Sequence, residues 1–260
     1  MNGAELKGIL KSGGRVFGTM ITHGQNPRWV AALEGVGLDY VVIDSEHSPR
    51  DRSDMADYLA AFSGSSPVPI VRIPIPDSHY VTMALDAGAQ GVLAPYCETV
   101  EQVKAVVGAA RWRPFKGESV RKLMDGVGDI TESTRSYLEE RNRNNIAIIG
   151  IESVAAVENL ENILHVPGID AIFVGPNDIS ISVGYPDQYD RPEYRDTVKH
   201  IIDTAESHGI PVLVHHQTMD LSSYWLSQGA RFILHTTDRR TLAEAYRRDF
   251  ANLRKLAGDL

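Results

Sequence analysis

The chain alternates between short apolar runs and longer stretches in which apolar and polar positions are mixed. Runs such as YVVID and AIFVG are apolar at almost every position, which is typical of strands buried on both faces of a parallel sheet. The mixed stretches place apolar residues three or four positions apart, as a helix with one buried face requires. The pattern predicts strands at residues 15–22, 39–44, 69–73, 90–95, 146–151, 171–175, 211–215 and 231–235.

A helix is predicted after each of these strands. The helical spacing occurs near residues 27–35, 51–62, 78–87, 100–111, 154–164, 193–207, 221–227 and 240–256. Eight strand–helix units in a chain of 260 residues are typical of a (β/α)8 TIM barrel, so we predict one α/β domain over residues 1–260. A doubly wound open sheet is the alternative. It is less favoured because polar residues follow so many different strands.

Residues 112–145 interrupt the alternation. This segment is charged and rich in glycine, and it shows only one short helical pattern, around residues 131–143. We therefore predict an insertion after the fourth strand–helix unit, placed on the barrel rim as a lid or a subunit contact. Its run of charges is typical of a solvated face.

Composition and charge restrict the kinds of molecule that the protein is expected to bind. The 34 acidic and 26 basic residues give a formal net charge of −8, which disfavours nucleic acid and leaves small molecules or other proteins. The single cysteine, Cys97, cannot form an internal disulfide and suits a reducing compartment. The first residues are polar and no apolar run is long enough to span a membrane, so we predict a soluble, cytoplasmic protein without a membrane partner.

Barrels of this kind carry their active sites at the carboxyl ends of the strands. In this sequence those positions hold many polar side chains. In chain order they are Asp44, Ser45, Glu46, His47, Arg72, Tyr96, Glu152, Asn177, Asp178, His215, His216, His235 and Thr236.

Two of these residues are acids that one crossover connection is expected to bring together. Parallel strands joined by a right-handed crossover present their carboxyl ends at the same edge of the sheet, so Glu152 and Asp178 are expected to converge. Two carboxylates at one edge favour a divalent metal ion. The alternatives are local: Asp178 caps the next turn, and Glu152 stabilises the start of the following helix.

Arg72 and His47 also have alternative roles. Arg72 lies in the apolar run PIVRIPIP and needs an anionic partner if it is buried, either a substrate carboxylate or a structural acid. His47 is either a group that transfers protons near neutral pH or an inert turn residue. Packing or pocket-wall roles are predicted for Tyr96, His215, His216 and His235.

The predicted strand ends lack the groups that two other barrel chemistries need. No lysine ends a predicted strand, which disfavours an aldolase that works through a Schiff base. The last two strands are followed by HHQTMD and HTTDRR rather than by the glycine-rich turns that hold phosphate. A phosphorylated substrate is therefore disfavoured.

Taken together, these segments resemble the HpcH/HpaI family of metal-dependent 2-oxo acid aldolases, which is related to the citrate lyase β-subunit barrel. The resemblance covers essentially the whole chain and rests on VVIDSEH, IVRIP, LDAGAQGVLAPY, IES, DAIFVGPNDIS and SVGYP. It implies a class II aldolase or lyase that reversibly cleaves a 4-hydroxy-2-oxo acid. The products are pyruvate, or a related 2-oxo acid, and an aldehyde.

The resemblance implies a metal site and a substrate site. Glu152 and Asp178 match the residues that hold a divalent ion, which is Mg²⁺, Mn²⁺ or Co²⁺ in the family. Arg72 matches the arginine that binds the 2-oxo acid. The backbone N–H groups around Asn177 and Asp178 match those that face the substrate carboxylate.

The resemblance also implies how protons are moved. His47 matches the general base, with Asp44 as the acid that orients it. Glu46 is expected to support these groups from just behind the site. The donor forms an enolate, and the imidazole moves a proton between the aldol hydroxyl and solvent.

Two departures from the family pattern leave alternatives open. Many relatives have glutamine two positions before the metal-binding glutamate, where this chain has Gly150. The family's loop after the fourth helix is replaced by PFKGESVRKLMDG, so the acceptor is not implied. A synthase that joins acetyl-CoA to oxaloacetate, or a non-catalytic barrel that binds a 2-oxo acid, is the alternative function.

An apolar stripe on the last predicted helix bears on assembly. It is formed by Leu242, Ala245, Tyr246, Phe250, Leu253 and Leu256. The stripe covers either its own barrel or that of a neighbour. Relatives form trimers of dimers, so the resemblance implies a homo-oligomer, a hexamer.

Overall fold

The computed structural model describes residues 1–258. Its parallel strands form a closed barrel in the order in which they occur along the chain. The strands are β1 Val16–Ile21, β2 Tyr40–Asp44, β3 Val68–Arg72, β4 Gly91–Ala94, β5 Ile146–Ile151, β6 Ala171–Val174, β7 Val212–His216 and β8 Phe232–Thr237. The predicted (β/α)8 barrel is confirmed.

Helices surround the barrel. They are α1 Gly3–Lys11, a 3-10 helix at Pro27–Leu33, α2 Arg52–Ala60, α3 Ser78–Asp86, α4 Val100–Trp112, α5 Gly117–Met124, α6 Glu132–Asn142, α7 Val154–Glu158, α8 Leu160–Leu164, α9 Pro176–Ser182, α10 Pro192–Ser207, α11 Met219–Ser227 and α12 Asp238–Ala257. Many begin at a side-chain cap. At the start of α4, for example, the Thr99 side chain accepts the N–H of Gln102 while the Gln102 side chain accepts the N–H of Thr99.

The strands bury both of their faces, one inside the barrel and one under the helices. The inner cluster contains Tyr40, Ile70 and Phe173, and it continues into Leu6 and Leu10 of α1. Leu6 and Leu10 therefore extend the inner core at the amino end of the barrel. The buried charged side chains Asp44, Arg72 and Glu152 lie instead at the carboxyl ends of the strands.

The insertion differs from its prediction because it contains two helices, α5 and α6, instead of one. Both pack against α4. Lys104 of α4 binds Asp125 at 2.6 Å, and the buried Asn142 side chain donates to the carbonyl oxygens of Arg111 and Arg113 at 3.0 and 2.9 Å. Contacts with α4 stabilise α5, whose own sequence has few apolar positions. The role of the insertion as a lid or subunit contact stays a prediction.

Two further features complete the fold. The helix predicted over residues 154–164 is divided at Asn159 into α7 and α8. Across residues 1–258, none of the helices combines the length and the apolar character that crossing a bilayer demands. The cytoplasmic location stays a prediction from the sequence.

Candidate active site

Arg72 and two acids form a buried ion-pair cluster at the ends of β2 and β3. Asp44 and Arg72 are register partners as the last residues of these two strands. The Arg72 Nε–H donates to Asp44 Oδ1 at 2.9 Å, and Arg72 Nη1 lies 3.1 Å from Glu46 Oε2. Burial acts to raise the pKa of Asp44, but the hydrogen bond and positive charge of Arg72 outweigh it and hold that pKa below its usual value. The guanidinium is thus fixed by two carboxylates.

The turn after β2 places His47 at the surface of the site. Asp44 Oδ1 accepts the backbone N–H groups of Glu46 at 3.0 Å and of His47 at 3.4 Å. The His47 side chain is 67% exposed, and its Nε2 lies 3.6 Å from Glu46 Oε2. Asp44 contacts the backbone of His47, while Glu46 lies beside the imidazole. The role of Asp44 in orienting His47 stays a prediction. Asp44 points inward as the last residue of β2, which commits its oxygens to Arg72 and the turn.

Glu152 follows β5 and is almost fully buried, at 6% exposure. Its Oε2 accepts the backbone N–H of Tyr96 at 2.5 Å. Burial raises the pKa of Glu152 to about 8; the Tyr96 N–H opposes this shift, and the negative charges of Asp178 and Glu46 add to it. Acidic groups from three strand ends are thus close enough to repel one another.

Asp178 lies in the first turn of α9, immediately after β6, and is exposed. Its neighbour Asn177 is held by a small network, in which Tyr189 Oη lies 3.0 Å from Asn177 Oδ1 and 2.8 Å from Asp187 Oδ1. The Asn177 Nδ2 group donates to the same Asp187 oxygen at 3.3 Å. This network fixes the turn that carries Asp178.

The oxygen atoms at this edge fit a divalent cation. An added Cβ at Gly175 would collide with Glu152 Oε1, so the glycine leaves the space that this carboxylate occupies. Within residues 1–258, the Glu152 carboxylate accepts one hydrogen bond, from the N–H of Tyr96. A buried carboxylate with acidic neighbours needs positive charge nearby, and carboxylate oxygens suit magnesium, manganese or a similar ion. Glu152 and Asp178 are the residues that would hold it.

The turn after β4 lies so close to Gly150 that it crowds the space of a side chain at this position. A Cβ at Gly150 would lie 2.8 Å from the carbonyl oxygen of Ala94 and 3.0 Å from Cα of Pro95. Tyr96, the next residue of this turn, has a left-handed φ of 35° and points its N–H at Glu152. Backbone therefore occupies the space beside the Gly150 Cα. The contact of the Tyr96 N–H with Glu152 is not predictable from the sequence, because a backbone donor has no residue-type signal.

The histidines of β7 and β8 pack among their neighbours. Burial lowers the pKa of His215 to about 3, with the charges of His216 and Arg72 acting in the same direction. His216 stacks on Trp225 with an interplanar angle of 8°, and burial lowers its pKa to about 4. His235 Nδ1 lies 2.9 Å from the Ser222 hydroxyl. Both buried imidazoles, His215 and His216, are neutral at pH 7.

Comparison with known proteins identifies the family and agrees with the fold. The sequence profile of the HpcH/HpaI aldolase/citrate lyase family matches residues 19–245. The chain is 31% identical over 210 residues to 5-keto-4-deoxy-D-glucarate aldolase of Escherichia coli O157:H7 (strain EC4115 / EHEC), covering 80% of each protein.

Solved structures give the same result. An HpcH/HpaI aldolase/citrate lyase family protein from Burkholderia cenocepacia J2315 superposes with a TM-score of 0.83 at 26% identity, covering 96% of this chain and 99% of that one. The citrate synthase SbnG superposes with a TM-score of 0.81 at 26% identity, covering 98% and 99%. The matched family and the aldolase relative define the protein as a carbon–carbon lyase. The chain belongs to the HpcH/HpaI aldolase/citrate lyase family.

Proposed function

We propose that this protein is a metal-dependent class II aldolase that reversibly cleaves a 4-hydroxy-2-oxo acid to pyruvate, or a related 2-oxo acid, and an aldehyde. The observation that carries the proposal is the buried Glu152 carboxylate, whose pKa is raised by burial and by the negative charge of Asp178, and which also lies within the influence of the Arg72 guanidinium. The relative from Escherichia coli is named as an aldolase of a keto-deoxy sugar acid, which supports this substrate class.

Arg72 binds and orients the donor. Its guanidinium provides fixed positive charge for the carboxylate and keto oxygens of the 2-oxo acid, and Asp44 and Glu46 prevent it from moving. Glu152 and Asp178 would hold a divalent cation, which would supply further positive charge to stabilise the enolate. In this proposal the backbone N–H groups of Asn177 and Asp178, in the first turn of α9, bind the donor carboxylate.

His47 moves the proton. Its exposed imidazole lies at the open side of the cluster, where it takes the proton from the C4 hydroxyl during cleavage and returns it during condensation. Glu46 lies beside Nε2 and also contacts Arg72, so it couples the position of the base to that of the donor-binding group. Glu46 thus contacts both the group that transfers the proton and the group that binds the donor.

Hydrogen exchange into pyruvate tests the proposal without knowledge of the acceptor. In deuterated water with Mg²⁺ or Mn²⁺, the wild-type protein is expected to exchange the methyl protons of pyruvate, as measured by NMR. Glu152→Gln and Asp178→Asn are expected to lose the exchange by at least about 100-fold, because the enolate charge is no longer stabilised. Failure of the wild type to exchange with every divalent metal tried would contradict the proposal.

A synthase is the second candidate. The likeness to a citrate synthase over 98% of the chain favours it. Release of free thiol from acetyl-CoA in the presence of oxaloacetate would identify the synthase. An aldolase releases no thiol under these conditions.

We also propose that the protein assembles as a homo-oligomer, a hexamer built as a trimer of dimers. None of the α12 residues, all of which are described, is buried, and Tyr246, Phe250 and Leu253 are each more than half exposed. Such an apolar stripe is typical of an interface. Light scattering is expected to give a hexamer for the wild type, and Phe250→Glu is expected to reduce the particle mass.

A further inference from the structure

A second group of potential metal ligands lies at the amino end of the barrel. Glu161 belongs to α8, His165 directly follows α8, and His208 directly follows α10. Barrel helices run back from the carboxyl ends of the strands, so the ends of α8 and α10 lie opposite the mouth that holds Glu152. One potential ligand atom from each of the three side chains lies within 4.8 Å of the other two, and all three residues are exposed.

Backbone carbonyl groups orient both imidazoles of this group. His165 Nδ1 lies 2.6 Å from the carbonyl oxygen of Glu161, and His208 Nδ1 lies 3.0 Å from that of Thr204. A carbonyl oxygen only accepts, so each Nδ1 must carry the hydrogen. In the neutral rings Nε2 therefore keeps its lone pair. Metal-binding histidines characteristically donate their other ring N–H to a carbonyl or carboxylate in this way.

The spacing and the local charge suit a small divalent ion. His208 Nε2 lies 3.4 Å from Glu161 Oε2. Two ligands that are each about 2.0 Å from a tetrahedral zinc ion are about 3.3 Å apart, so this pair is already correctly spaced. The carboxyl end of the 16-residue helix α10 also places partial negative charge beside His208.

From this arrangement we propose that Glu161, His165 and His208 form a surface site for Zn²⁺, separate from the metal site at the barrel mouth. Two imidazoles and one carboxylate favour zinc over magnesium, whereas the oxygen atoms of Glu152 and Asp178 favour hard ions. Three protein ligands leave a fourth position for water. A bound ion would join the ends of α8 and α10, which already contact each other.

Calorimetric titration with Zn²⁺ in saturating Mg²⁺ tests the site. The wild type is expected to bind one zinc ion, and His165→Gln and His208→Gln are each expected to weaken this binding at least tenfold. His200→Gln is the matched control, because His200 is an exposed histidine on α10 outside the cluster. It is expected to bind zinc as the wild type does. Thermal unfolding in chelator should be the same for all four proteins, which shows that the variants fold.

Two further measurements separate the proposal from its alternatives. Zinc is expected to raise the unfolding temperature of the wild type and of Glu152→Gln, but not that of His208→Gln. If His165→Gln and His208→Gln bind zinc as tightly as the wild type, or if the wild type binds none, the proposal is wrong. In the latter case the contact of Glu161 with His208 is an ion pair only.

Discussion

The interior of the barrel near its amino end is filled by apolar side chains, whereas the carboxyl end is lined by charged ones. At the amino end Leu6 and Leu10 pack into the same cluster as the first residues of the strands. At the carboxyl end Asp44, Arg72 and Glu152 are buried together. Burying charged groups lowers the stability of the fold, whereas burying apolar surface raises it. The difference indicates that one end stabilises the fold and so permits the other to hold a reactive, charged site.

The largest effect is expected for Arg72→Ala. This change leaves two carboxylates without their cation, so the free energy of unfolding should fall by about 3–5 kcal/mol. Turnover should fall at least about 1000-fold, because the donor loses its fixed positive charge. Urea unfolding and steady-state kinetics measure the two effects, with Arg72→Lys as the matched control that keeps the charge but not the geometry. An Arg72→Ala protein that keeps wild-type turnover would contradict the assigned role.

Leu6→Ala tests the opposite end. Removing this fully buried side chain should lower the free energy of unfolding by about 2–5 kcal/mol, through lost burial and the cavity that remains. Turnover measured well below the unfolding temperature should not change, because α1 lies away from the mouth. A fall in turnover as large as that of Arg72→Ala would show that the two ends are not separate in function.

Gly175→Ala is expected to lower turnover at the barrel mouth without straining the backbone. The backbone of Gly175 has φ −77° and ψ 107°, which alanine adopts without strain, so the added Cβ acts mainly by displacing the Glu152 carboxylate. Turnover should fall about 10- to 100-fold, since small displacements of catalytic groups have effects of this size. Gly8→Ala in α1 is the control, because nothing lies within 4 Å of the added Cβ. It should stabilise the helix by about 0.5–1 kcal/mol and leave turnover unchanged.

The last prediction concerns pH. In the folded protein His215 and His216 stay neutral, because their pKa values are lowered to about 3 and about 4. In the unfolded chain their pKa returns to about 6.5, so below that pH both take up a proton on unfolding. The unfolded chain therefore binds more protons, and the free energy of unfolding falls as the pH drops from about 6.5 to about 4. Each histidine contributes up to about 1.4 kcal/mol per pH unit. Urea unfolding at pH 7, 6 and 5 should show a shallower pH slope for His216→Gln than for the wild type; equal slopes would refute the assignment.

The sequence predicts the barrel well because its strands are nearly continuous apolar runs whose order fixes the topology. The same topology predicts that Glu152 and Asp178 lie at one edge. It does not predict which acid lies beside His47, since Asp44 and Glu46 are two positions apart and their partners depend on side-chain geometry. The Tyr96 amide and the Tyr189 network are missed because they depend on how distant turns approach each other. Helix α5 is missed because it is stabilised by packing on α4.

Binding of Mn²⁺, measured directly by electron paramagnetic resonance with and without pyruvate, tests the central claim. The wild type is expected to bind one ion at the barrel mouth, more tightly when pyruvate is present. Glu152→Gln and Asp178→Asn should each weaken this binding at least about tenfold, whereas His208→Gln at the other end should not. If both mouth variants bind Mn²⁺ as tightly as the wild type, these two carboxylates do not hold the metal and the proposed mechanism is wrong.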